Sequence, residues 1–142
     1  MEDNNLQFFM PMIPPTKTYQ EKRLGVNKKG KAYTYEDAEL KAVRQKLIAN
    51  LGKHSPNQPI DGPIQFVAKW CFPITGNHRP GDWKTSKPDT DNLQKLLKDC
   101  MTTCGFWKDD AQVASEVIEK FYSDVPGIFI AVIKLSQREV LL

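Results

Sequence analysis

Between Pro88 and Gly105 the residues Leu93, Leu96, Leu97, Cys100, Met101 and Cys104 recur at three- and four-residue steps, the period of one buried helix face. Few other patterns in the chain restrict the fold so tightly. Pro88 has a fixed φ and disfavours helix at Lys87. Asp89, Thr90 and Asp91 are all N-cap residue types, and acidic side chains suit the positive end of a helix. Gly105 fits the position just past the C-terminus. The spacing predicts a helix over roughly residues 90–104.

The polar residues of this helix have a pattern of their own. Asp91, Lys95 and Asp99 stand at i, i+4 and i+8 and share one face, with Asp89 just ahead of it. An N-cap followed by an i,i+4 ion pair is the commonest meaning of such a pattern. The same residues also suit a hard divalent cation, because carboxylate oxygens, water and substrate phosphate are what Mg²⁺ or Mn²⁺ prefers. Asp109 and Asp110 follow the helix after Gly105-Phe106-Trp107-Lys108. A helix of about 14 residues is roughly 20 Å long, and the stretch from Gly105 to Asp110, if extended, spans about the same distance. Asp110 therefore rejoins Asp89 and Asp91 by one of two routes. Either the segment folds back antiparallel along the helix, or a partner subunit supplies it.

At 142 residues the chain suits one domain, residues 1–142. With 40% apolar and 26% charged residues it has the make-up of a folded globular protein. No apolar run approaches the roughly 18 residues of a membrane span, and Met1-Glu2-Asp3-Asn4-Asn5 has no signal-peptide character. A cytoplasmic location with no membrane partner is the expectation. Three cysteines, at 71, 100 and 104, agree with a reducing compartment. A net charge of +3 identifies no partner by itself. Its distribution says more: Lys17, Lys22, Arg23, Lys28, Lys29 and Lys31 face only Glu21 within their stretch. That run suits either a solvated segment or an arm on DNA phosphates.

Along the chain, Leu6–Met12 reads as a strand stopped by Pro14-Pro15. Gly25–Gly30 reads as a flexible loop, and residues 31–35 as a short strand or the approach to a helix. A helix follows from Thr34 or Tyr35 to about Leu51, closed by Gly52. Ile64–Phe72 alternates as a strand, and residues 73–86 form a loop into the acidic motif. There Arg79, Lys84 and Lys87 are placed to draw a phosphate backbone toward carboxylates that would otherwise repel it. Residues 113–122 are mixed: Val113, Val117 and Phe121 would suit a helix, while the β-branched content favours a strand. Ser123–Gly127 reads as a turn and Ile128–Leu135 as a buried strand. The expected class is α+β: a mixed sheet packed by two helices in the order β-α-β-α-β-β.

The string Pro88-Asp89-Thr90-Asp91-Asn92-Leu93-Gln94-Lys95, with Asp99 and Gly105-Phe106-Trp107-Lys108-Asp109-Asp110-Ala111-Gln112-Val113, resembles the signature of the RusA family. These are small dimeric Holliday-junction resolvases often carried by phages and prophages. The resemblance implies a RusA-like fold and Asp89, Asp91 and Asp110 as metal-binding catalytic carboxylates. Lys95 stands as the family's functional lysine. It further implies Mg²⁺ (with Mn²⁺ as substitute), a homodimer, and a branched, four-way-junction DNA substrate. At the looser N-terminal end Thr16, Lys17 and Thr18 stand where some relatives have asparagine, and no catalytic role passes to them.

Two rival functions fit fewer residues. In a non-catalytic branched-DNA-binding protein the acidic motif would only cap a helix. A zinc site would use Cys100 and Cys104 with Cys71 and a histidine, but no Cys-x-x-Cys pair exists and both cysteines fall on the apolar face. His54 and His78 lie in no nucleophile motif.

Overall fold

The computed structural model describes residues 5–18, 22–36 and 38–137. The side chains of Lys22, Arg23, Tyr33 and Tyr35, and residues 140–142, lie outside what is described. Among the described residues six strands and two long helices follow one another: β1 (Leu6–Pro11), β2 (Lys22–Val26), β3 (Ala32–Glu36), α1 (Ala38–Gly52), β4 (Ile64–Pro73), α2 (Thr90–Thr103), β5 (Val113–Ser123) and β6 (Gly127–Lys134). A single 3₁₀ turn, Asp110–Gln112, precedes β5. The main sheet has the order β1-β6-β4-β5. β4 runs parallel to β5, while β6 runs antiparallel to both β1 and β4. The parallel pair needs a crossover, and α2 provides it. This is the expected α+β architecture with a mixed sheet and two helices.

Alternation along β4 sets the core. Ile64, Phe66, Ala68, Trp70 and Phe72 are buried on one face, as a period of two requires. Onto them pack Leu93, Leu96, Leu97, Cys100 and Met101 of α2, and Leu40, Leu47 and Leu51 of α1. The apolar stripe read from the sequence is thus the buried stripe of α2. Gly105 takes φ +79°, the left-handed conformation that ends the helix. Gly127 is needed for another reason. A Cβ there would meet the Phe9 ring and stand 2.5 Å from the Met10 carbonyl oxygen, so β1 approaches β6 closely only because that atom is missing.

Two differences from the sequence expectation stand out. The stretch read as a loop over Gly25–Gly30 is the turn of a β2–β3 hairpin, whose two strands form a separate sheet. Asn27 organises it: its side-chain oxygen accepts from the backbone amides of Lys29 and Lys31, both at 2.9 Å. Helix α1 begins at Ala38, later than the sequence suggests, because β3 occupies residues 32–36. Among the described residues no helix is long and apolar enough to cross a membrane.

Gln94 is 97% buried on α2 and finds no hydrogen-bond partner for either amide atom among the described residues. An unpaired buried amide costs about 1–3 kcal/mol. Gln94→Met keeps the volume and removes the polar atoms, so the expected result is a gain of about 1 kcal/mol. The midpoint of thermal unfolding should rise by roughly 3–5 °C. A lowered midpoint would show that the amide has a partner.

Candidate active site

The acidic motif sits where α2 begins. Asp89 is the N-cap residue, with extended backbone (φ −73°, ψ 151°), and its side chain makes no capping hydrogen bond. On a regular helix, residues two apart point in different directions. The extended backbone takes Asp89 off the helical path and removes that constraint relative to Asp91. Asp89, Asp91 and Lys95 are all exposed. Beside them opens a pocket of about 260 Å³ lined by Thr16, Lys17, Thr18, Lys87, Pro88, Asp89 and Asn92. The N-terminal Thr-Lys-Thr segment, which carried no catalytic role in the sequence reading although Lys17 was a candidate for DNA phosphates, therefore borders the motif. Thr18 is buried there, and Lys17 pairs with Glu39 at 3.9 Å.

The remaining acids have different surroundings. Asp99 pairs with Arg44 of α1 at 3.6 Å, tying the two helices together. Asp109 is a true cap: its carboxylate accepts from the Ala111 amide at 2.9 Å, and Gln112 completes a capping box on the Asp110–Gln112 turn. Asp109 thus fixes the turn that carries Asp110. That turn lies far from the motif. Ile60 N–H donates to the Phe106 carbonyl at 2.9 Å, and Gln112 Nε2 donates to the carbonyls of Ile60 and Gly62, each at 2.9 Å. The segment after α2 is held at that end and does not fold back along the helix. The chain returns through β5 instead. Val113 to Lys120 is seven strand steps, roughly 23 Å, and it is Lys120 whose side chain bonds the Ser86 and Pro88 carbonyls just ahead of α2. Accordingly, among the described residues of one chain no three or more Asp, Glu, His or Cys side chains gather at a metal-binding distance.

Lys120 is a residue that sequence reading missed. Its Nζ donates to the carbonyls of Ser86 at 2.8 Å and Pro88 at 2.7 Å, clamping the turn from which α2 springs. Burial lowers its pKa below the usual lysine value and nearby Lys84 lowers it further, while Asp89 and Tyr122 oppose the shift. Lys84 stands over the rings of Phe72 (5.1 Å) and Tyr122 (5.4 Å), and its Nζ donates to Ser86 Oγ at 2.7 Å. The Tyr122 phenol is held below its ordinary pKa mainly by hydrogen bonding with Ser86, against the effect of burial. No local signal marks Lys120, whose partners lie over thirty residues upstream.

The other basic candidates are spread more widely. Lys28 and Lys29 are exposed on the β2–β3 turn, and Lys87 is exposed at the pocket. Arg79 lies on a tight turn where its amide donates to Asp82 Oδ2 at 2.8 Å. From that turn, residues 81–84 run along the edge of β5: the amides of Gly81 and Lys84 donate to the carbonyls of Tyr122 and Lys120, at 2.8 and 3.0 Å. Trp83 stands 63% exposed on this segment, edge-on to Phe121. His54 is half-buried and stacks on Phe8 with ring centroids 4.3 Å apart.

Fold and site together define a small α+β protein with two exposed carboxylates, Asp89 and Asp91, at the start of α2 and lysines around them. A family model described as endodeoxyribonuclease RusA matches residues 13–133, and the chain belongs to this family of DNA-cleaving enzymes. Its relatives include the crossover junction endodeoxyribonuclease RusA of Lactococcus phage r1t, 33% identical over 110 residues, which cover 75% of this chain and 79% of the phage protein. The uncharacterised protein YqaN of Bacillus subtilis strain 168 is 28% identical over 123 residues, 79% of this chain and 86% of that protein.

Proposed function

We propose that the chain resolves four-way DNA junctions by paired, symmetric phosphodiester cleavage with Mg²⁺, in DNA recombination and repair in the cytoplasm. One observation carries this over the purely DNA-binding alternative. Asp89 occupies the N-cap position and leaves its carboxylate out of the cap, whereas Asp109, at the next such position, does cap. A motif that existed only to start a helix would use its acid as Asp109 does. Mg²⁺ asks for one or two carboxylates and fills its other positions with water and substrate phosphate, so Asp89 and Asp91 fit it. Such an ion, when bound, activates a water and offsets charge on the cleaved phosphate. Lys95, one turn beyond Asp91, balances phosphate charge from the protein side. Asp110 would join from a second copy, since its own chain holds it at the opposite end of β5.

A homodimer also suits the two-fold character of a four-way junction. The sheet face turned away from the helices supports it, leaving Val67, Phe121 and Phe129 only partly buried. The test is incubation with a synthetic four-way junction, a replication fork and linear duplex, with Mg²⁺ or with EDTA. The expected result is paired nicks at the junction that vanish in EDTA. Equal cutting of linear duplex would remove the junction preference, and cutting that persists in EDTA would remove the metal.

A further inference from the structure

Ser86 brings two ammonium groups together. Lys84 Nζ bonds its hydroxyl at 2.7 Å and Lys120 Nζ bonds its carbonyl at 2.8 Å. The two charges are thereby held less than about 10 Å apart, within the screening length of dilute salt. Their hydrogen-bond acceptors are neutral, and the rings under Lys84 carry no net charge. The carboxylate acting on Lys120 is that of Asp89, which under the proposed function shares its charge with a cation. Two converging cations without an equal negative charge attract an anion. Donors are available to hold one. Each ammonium has three N–H groups; Lys120 uses two on carbonyls, and Lys84 uses one on Ser86 Oγ and another on the Tyr122 phenol, so one donor remains on each. Both side chains are half-buried, so they are already ordered and lose little freedom when they grip a ligand.

We propose that Lys84 and Lys120, joined through Ser86, form a clamp for one DNA phosphodiester beside Asp89. The clamp fixes the backbone next to the cleaved bond while Asp89 and Asp91 face that bond. Its place relative to cleavage rests on the nuclease reading. Its chemistry, recognition of a phosphodiester oxyanion, does not.

Binding is therefore measured apart from cleavage, in EDTA, with intact linear duplex and four-way junction over a series of KCl concentrations. A lysine on a phosphate contributes about 0.9 to the slope of log affinity against log salt. Lys84→Met and Lys120→Met should each lower the slope by about that amount on both DNAs, and the double variant by about twice as much. Lys84→Arg and Lys120→Arg should keep it. Lys120→Met also releases the Ser86–Pro88 turn, but Lys84→Met leaves those two bonds in place and decides alone. An unfolded fraction lowers the amount of competent protein and not the slope. An unchanged slope in Lys84→Met with a native circular dichroism spectrum overturns the clamp, even where wild-type protein cuts junctions. A lowered slope in a protein that cuts no DNA upholds the clamp and overturns the nuclease reading.

Discussion

Replacing Asp91 by asparagine is expected to leave a folded protein that binds four-way junctions and no longer cuts them. The side chain is exposed in the first turn of α2, so the structural cost is confined to the helix dipole, about 0.3–1 kcal/mol. The chemical cost is larger. Removing one group that stabilises developing charge typically lowers turnover by roughly 10²–10³-fold, and under the proposed function Asp91, as a cation ligand, belongs at the upper end of that range. Binding should hold or tighten, because one negative charge fewer faces the phosphates. Asp99→Asn is the matched control: it lies two turns along the same helix but pairs with Arg44, and it should keep most of the activity. Gel assays of cleavage in Mg²⁺ and of binding in EDTA separate the two effects. Wild-type cleavage by Asp91→Asn would return the motif to the role of a helix start.

Those parts of the fold whose stability comes from apolar burial could be read from the sequence. The stripe from Leu93 to Cys104 and the alternation from Ile64 to Phe72 place α2 and β4 within a residue or two of where they lie. Both patterns are periodic because each element hides one face. The β2–β3 hairpin shows no such pattern among its described side chains. Val26 is 72% exposed, and the turn depends on the Asn27 side chain and on backbone bonds. A run of glycine and lysine gives no period for such a hairpin. The site divides in the same way. Asp89, Asp91 and Lys95 are close in sequence and could be found as a string. The part played by Lys120 depends on β5 lying parallel to β4 beside the start of α2, a non-local fact. The six-residue reach from Gly105 bounded a distance and was silent on direction. What directs it is the tie between Phe106, Gln112 and the Ile60–Gly62 loop.

Trp107→Ala is expected to give the largest loss of stability of any substitution considered. The indole is 1% exposed, meets Phe66 edge-on with centroids 5.5 Å apart, and donates from Nε1 to Thr102 Oγ1 at 2.7 Å. Truncating a buried tryptophan typically costs about 3–5 kcal/mol, a large share of the roughly 5–15 kcal/mol that holds an ordinary domain together. The thermal midpoint should fall by about 10–20 °C, and the urea midpoint should fall without a change in slope. Trp107→Phe separates packing from hydrogen bonding. It keeps a ring against Phe66 and gives up the bond to Thr102, so a loss of about 1–2 kcal/mol is expected. Trp107 also lies just before the turn that carries Asp110, and its backbone bridges to Ile60. The phenylalanine variant should therefore stay folded with that turn in place, while the alanine variant loosens both the end of α2 and the entry to β5. A loss below about 1 kcal/mol in Trp107→Ala would mean that the surrounding core collapses to fill the space, and the anchoring of that end would then rest on Phe106 and the Gln112 bonds.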